Sequence, residues 1–246
     1  MKKSFFDYEK PIIAMAAAAT AEEMKSLALN ALADGADVLG FCMEFLEPEQ
    51  RTDEVLTDLF GAFGEHPVYV TCYRKAKSKG QTDDRCVDYL FQCLRCGATF
   101  GDVMGDLYCE EPTGMTFDET AAKKQAEVIE KIHAMGKETL ISTHTKKFLT
   151  PEELLRYAKG QQSRGTDLIK IVNYAATEEE LVENMKAIKL FSENLEKPFV
   201  LLANGPECRP LRLDGAAKGA CTFFCRTSET GEQPLVKTAK YWRDGE

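Results

Sequence analysis

A lysine sits inside the apolar run Asp167-Leu168-Ile169-Lys170-Ile171-Val172. Side chains alternate along an extended segment, so Ile169 and Ile171 face one way and Leu168, Lys170 and Val172 the other. Enclosing an ammonium is costly, and burial lowers its pKa. A lysine with a lowered pKa is the amine that attacks a carbonyl carbon to form an imine. The plainer alternative is a lysine whose stem carries its head out to water. His144 ends another apolar run, Leu140-Ile141-Ser142-Thr143-His144, and histidine moves protons well near neutral pH. The plainer alternative there is an ordinary loop histidine. Arg209 and Arg212, in Gly-Pro-Glu-Cys-Arg-Pro-Leu-Arg, match a carboxylate or phosphate through two parallel hydrogen bonds, or else lie on a helix surface. Asp102 closes a fourth apolar run and Glu44 follows a second. Either suits acid–base work, and with His144 they could form a divalent-metal site, although their spacing matches no metal motif.

These residues need a scaffold that brings strand ends together. Eight short apolar runs recur, at 12–17, 37–41, 68–72, 99–104, 138–143, 167–172, 199–203 and 221–224. Their starts are 22 to 39 residues apart, enough for a helix and two loops each. Between them lie helical patterns with start and stop signals. Thr20 with Glu23, and Thr177 with Glu180, form capping boxes. Thr150-Pro151 is a cap followed by proline at the first helical position, and Gly35 suits a helix end. Helices are also expected over 49–63, 83–96, 118–135 and 235–243. Strand–helix alternation implies parallel strands joined by right-handed crossovers, and eight units imply closure. The expected fold class is therefore α/β, a single (β/α)8 (TIM) barrel spanning 1–246, with segment 1–10 over the barrel floor. A dinucleotide-binding open sheet fails its main test, because the first run is followed by Ala-Ala-Ala-Ala-Thr rather than Gly-x-Gly-x-x-Gly. Barrel active sites lie at the carboxyl ends of the strands. Of the three histidines, that rule places His66 at the floor, His133 outside and His144 at the catalytic face.

Composition narrows the function classes. The net charge is −9, and the longest basic cluster is Arg74, Lys75, Lys77 and Lys79 in one loop, so no nucleic-acid partner is expected. The acidic stretch Asp106, Glu110, Glu111, Asp118 and Glu119 reads as a solvated face. No run approaches the ~18 apolar residues of a membrane helix. The basic N-terminus is interrupted by Asp7, Glu9, Lys10 and Pro11 before any signal-like core forms. Nine cysteines at irregular spacing suggest reduced thiols, and the lone Cys93-x-x-Cys96 pair lacks the second pair of a zinc site. A cytoplasmic protein acting on a small molecule is expected, with no metal and no cofactor; the sequence leaves a homodimer open.

Several of these segments, taken in order, resemble type I 3-dehydroquinate dehydratase. Ile141-Ser142-Thr143-His144 resembles the family's Ser-x-His after the fifth strand, and 167–172 its sixth-strand lysine motif. The stretch 211–224 resembles its arginine helix and last strand, and Arg226-Thr-Ser-Glu-Thr-Gly-Glu-Gln-Pro234 its lid. The resemblance covers about 11–234. It implies the barrel, an imine on Lys170, His144 as proton shuttle, Arg212 as carboxylate anchor, and lid contacts from Ser228 and Gln233, with Glu232 able to replace Gln233. Shikimate-type cyclic keto acids come first as substrates on this basis. The chain also departs from the family. After the second strand the family has Asp-x-x-Glu-x-Arg, whose Glu and Arg contact ring hydroxyls; here Gly40 and Cys42 stand in their places. After the third, Tyr73 or Arg74 stands for an arginine, and Ser78 or Lys79 for an acid. The fourth-strand Asp-x-Glu becomes Asp102-Val103-Met104, and Thr145 and Lys146 replace an aspartate and an aromatic after the histidine.

The resulting expectation is a Schiff-base lyase that removes water from a β-hydroxy ketone bearing a carboxylate, with an altered substrate. Lys170 and His144 are its catalytic residues. Arg212, Arg74, Ser228, Gln233, Glu44 and Asp102 are its substrate contacts. Carbon–carbon cleavage by the same lysine, an inactive binding protein on the same barrel, and a metal lyase using Glu44, Asp102 and His144 are the alternatives.

Overall fold

The computed structural model describes residues 2–218, 221–227 and 233–245. Its strands are β1 Ile12–Ala16, β2 Val38–Cys42, β3 Val68–Thr71, β4 Phe100–Met104, β5 Glu138–His144, β6 Leu168–Tyr174, β7 Phe199–Asn204 and β8 Phe223–Arg226. They form one parallel sheet in the order β7-β6-β5-β4-β3-β2-β1-β8. Across the seam between the two end strands, Cys221 N donates to Phe199 O at 3.0 Å. The helices are α1 Ala21–Ala33, α2 Asp53–Gly61, α3 Asp83–Arg95, α4 Glu119–Ala134, α5 Pro151–Gln162, α6 Glu178–Asn194, α7 Arg209–Lys218 and α8 Val236–Asp244. This is the TIM barrel expected from the alternation of strand and helix signals.

Two expected elements differ in extent. The helix expected over 49–63 is divided: Pro48–Gln50 is a separate 3-10 turn, and Thr52 caps α2 by accepting from Val55 N. The last strand begins two residues later than its apolar run, because Cys221 is spent on the seam and Thr222 turns its hydroxyl to Pro11 O. Caps at Thr20 and Thr150 form complete capping boxes, each with a glutamate reaching back.

Alternation sorts the strand residues into two cores. Ile13, Val38, Tyr69, Phe100, Leu140, Leu168, Val200 and Phe224 fill the barrel interior. Their neighbours in sequence, such as Leu39, Val70, Ile141, Ile169 and Leu201, pack against the helices. Phe5, on the 3-10 turn Phe5–Asp7, is buried in the interior cluster and stacks on Phe100 with ring centroids 4.9 Å apart. The lower interior is thus solid hydrocarbon, and the polar inward positions gather toward the carboxyl ends of the strands. No helix among the described residues is long and apolar enough to cross a membrane.

Candidate active site

Lys170 points into the barrel with Leu168 and Val172, as the alternation requires, and is almost fully buried. Its Nζ lies 4.6 Å from the Phe224 ring centroid, donates to Tyr69 OH at 3.1 Å and sits 3.5 Å from Asp102 Oδ2. Burial lowers its pKa from 10.5, and Asp102 partly offsets this. Ser142 pairs with Lys170 across the β5–β6 ladder, and His144 stands two residues further along the same face. At about 3.3 Å per residue, the imidazole belongs to a layer ~6.6 Å nearer the mouth. Burial, then the cations Lys170, Lys75 and Arg212, push its pKa well below 6.5. His144 is nonetheless exposed toward the barrel cavity, so solvent there weakens the part of this shift that comes from burial. No described side chain hydrogen-bonds the imidazole; Tyr73 meets it edge-on at 5.8 Å. A neutral ring above a deprotonatable amine is poised to accept a proton.

Asp102 is the hub beneath this pair. It accepts from Tyr69 OH, from Tyr73 OH at 2.6 Å and from Ser142 Oγ at 2.5 Å. Burial first, then this carboxylate, raises the pKa of both tyrosines well above 10, so they remain donors. The aspartate thereby holds the lysine, two tyrosines and a serine in one network while its own side chain stays fully enclosed.

A cavity of about 410 Å³ opens above Lys170, within the size range of small-molecule sites. Its cationic wall carries Lys170, His144, Arg212, Arg226 and, across from them, Lys75. Among the described lining residues there is no carboxylate, in a chain of net charge −9. That polarity selects an anionic ligand. Arg212 is buried and donates to Asn204 Oδ1 at 2.7 Å, so the last residue of β7 holds its guanidinium. Gln233 lines the same cavity. Ser228 and Glu232 lie outside the described residues.

Three other candidate contacts are engaged by protein partners. Arg74 is spent on Asp83 and Asp106, at 2.5 Å each, and lines a neighbouring cavity of about 260 Å³ that shares His144 and Tyr73. Asp106 is therefore an ion-pair partner rather than part of a solvated acidic face, and Asp118 caps α4. Glu44 is fully buried: one oxygen accepts from Thr71 Oγ1 at 2.8 Å and the other lies 3.4 Å from Lys75 Nζ. Asp102 reaches a ligand only through Lys170 and Tyr73. Among the described residues no three His, Cys, Asp or Glu side chains form a metal-holding group, so Glu44, Asp102 and His144 are not gathered into one. The basic loop is largely paired, Lys75 with Glu44 and Lys77 with Glu47.

Four residues of the site escaped the sequence reading: Tyr69, Tyr73 as a hydrogen-bonding group, Asn204 and Arg226. The available signal was parity. Tyr69 and Arg226 occupy inward positions on β3 and β8, in step with Thr71 and Phe224.

A family model described as type I 3-dehydroquinase matches residues 12–240. No curated protein matches the chain. Among solved structures, the type I 3-dehydroquinate dehydratase of Clostridium difficile, with covalently modified comenic acid, superposes with a TM-score of 0.83. It is 17% identical over 96% of this chain and 91% of that one. The 3-dehydroquinate dehydratase of Geobacillus kaustophilus gives 0.80 at 16% identity, over 96% and 90%. The enzyme of Enterococcus faecalis gives 0.77 at 15%, over 96% and 94%. At such identities the likeness speaks for the fold.

Proposed function

Because the chain belongs to the type I 3-dehydroquinase family, we propose that it is a hydro-lyase working through an imine on Lys170, on a β-hydroxy ketone that carries a carboxylate and differs from 3-dehydroquinate. The lone pair of Nζ attacks the carbonyl carbon, and one water leaves as the iminium forms. The iminium withdraws electrons from the neighbouring C–H bond. His144 takes that proton, the electron pair moves to form an enamine, and the β-hydroxyl departs with the proton that His144 returns. Hydrolysis of the conjugated iminium consumes one water and frees the amine, so the net change is loss of one water. Arg212 holds the carboxylate and fixes which C–H faces the imidazole.

The observation that carries this reading is the enclosed amine of Lys170. It is lowered in pKa by burial, lies at the base of a cation-lined cavity, and has His144 one layer above on the adjacent strand. Borohydride reduction in the presence of a cyclic keto acid tests it. The expected result is one adduct, on Lys170, absent from Lys170→Met. His144→Ala should keep the adduct and slow elimination by ~10²–10⁴, the usual worth of a general acid–base group. A folded protein that gives no adduct with any keto acid would refute the proposal.

A further inference from the structure

The cavity has two unlike walls. The side built by β5 to β8 presents His144, Lys170, Asn204, Arg212, Arg226 and Gln233. The side built by β1, α1 and β2 presents Met15, Ala17, Leu27, Cys42 and Phe45. Behind Met15 on that second wall stands Gly40, a buried inward position of β2. A Cβ at Gly40 would lie 2.2 Å from Met15 Sδ and 3.1 Å from Tyr69 Cδ1. Met15 therefore fills the space from which a side chain at position 40 would reach a ligand. Burial pushes the Cys42 thiol up to about 12, leaving a neutral, weak donor. Of the polar groups beside this wall, Thr71 and Tyr73 are hydrogen-bonded within the protein, and the Lys75 ammonium is held at its edge by an ion pair. Thr71 donates to Glu44, Lys75 faces Glu44 and lies over the rings of Tyr73 and Phe45, and Tyr73 OH is bonded to Asp102 and Ser142.

From this asymmetry we infer the substrate class: a keto acid whose carboxylate meets the cationic wall and whose opposite edge is hydrocarbon, alkyl or unsaturated, without hydroxyls. The inference rests on the imine reading for where the carbonyl sits, and on the second wall for everything else. A ligand hydroxyl pressed against Met15, Leu27 and Phe45 loses its water and finds no hydrogen-bond partner among those three side chains. Each such loss weakens binding by about tenfold. A C–H edge at the same place buries apolar surface on both sides instead.

The test compares two ring keto acids on the full chain, 3-dehydroquinate and 1-hydroxy-3-oxocyclohexane-1-carboxylate, which keeps the β-hydroxyl and lacks the hydroxyls of the opposite edge. Two readouts are taken: the concentration giving half-maximal borohydride adduct on Lys170, and the Kd from calorimetry without reductant. The acid without edge hydroxyls is expected to win by at least about tenfold in both. Cys42→Ser, which adds a hydroxyl to the apolar wall, should narrow that ratio. If calorimetry ranks the ligands as expected but neither forms an adduct, the imine reading falls and the substrate class stands. Equal or tighter binding of 3-dehydroquinate, or no binding of either acid, overturns the inference even where an adduct forms. A ratio unmoved by Cys42→Ser places the discrimination elsewhere and overturns it as well.

Discussion

Asp102→Asn isolates the electrostatic part of the site, since it preserves shape and removes one charge. In the native protein Nζ of Lys170 and Oδ2 of Asp102 are 3.5 Å apart, with side-chain exposures of 6% and 0%. Unit charges at that distance attract by about 5 kcal/mol at an effective dielectric of 20. Only part of this acts on the lysine, because Tyr69, Tyr73 and Ser142 donate to the same carboxylate and spread its charge. Asp102 offsets part of the lowering by burial, so losing its charge should let the Lys170 pKa fall further, toward the value that burial alone would set. The assay follows the rate of imine formation with a keto acid at a series of pH values, quenched by borohydride and read by intact mass. The midpoint of the profile should move to lower pH. In the range where the native amine is mostly protonated, the variant should label faster. Ser142→Ala carries the opposite sign: removing a donor concentrates charge on Asp102 and should move the midpoint up. A midpoint that stays in place for Asp102→Asn, or rises, would show that the aspartate does not govern the amine, and the network argument would fail.

His144 should make folding stability fall with acid: its folded pKa is depressed below 6.5, so the unfolded chain takes up that proton first, and stability fully present above pH 6.5 is lost toward the folded value. Urea midpoints at pH 7 and pH 5 should therefore differ less for His144→Gln than for the native chain; equal differences would show the ring to be unperturbed. Gly40→Ala should cost ~1–3 kcal/mol by overpacking against Met15 and Tyr69, and part of that loss should return in the double variant with Met15→Ala. Thermal unfolding of the pair measures the recovery. Arg164, whose pKa burial lowers to about 10, donates to Gly105 O at 3.1 Å and also to Gln125 and Thr116 O, which ties down the loop after β4. Arg164→Leu strands those acceptors and should destabilise by ~2–4 kcal/mol in urea titration; a loss under ~0.5 kcal/mol would mean that the loop holds itself.

Much of this fold is readable in the chain because each unit repeats the same local grammar. A cap such as Thr150-Pro151 starts a helix whose hydrogen-bonding groups are satisfied locally, and an apolar run of five or six residues has one stable place, inside a parallel sheet. The same parity puts Lys170 inside and His144 at a strand end, so the reactive pair is legible as well. What resists reading is partnership between strands. Arg74 reads as a ligand-seeking cation until Asp83 and Asp106, 9 and 32 residues away, close on it from two sides. Tyr69 goes unremarked in the sequence and Tyr73 stands there only in an arginine's place, because their common acceptor Asp102 becomes a neighbour only when β3 pairs with β4. Apolar content alone also misplaces β8, since Cys221 belongs to the seam and Arg226 to the ladder.

The division of labour in the barrel mouth follows from these partnerships. β5, β6 and β7 carry His144, Lys170 and Asn204, the last of which holds Arg212, and the contacts that fix them, Gln161 to the Lys170 carbonyl and Asn204 to Arg212, do not involve β1 or β2. β1 and β2 line the cavity through Met15 and Cys42. Changes at Gly40 and Cys42 can therefore alter what fits without disturbing how Lys170 and His144 are held. Asp102 and Tyr73 allow no such freedom: altering either one moves the amine, the serine and the edge of the imidazole together. Substrate choice in this scaffold is thus adjustable on one wall while the chemistry is locked into the other.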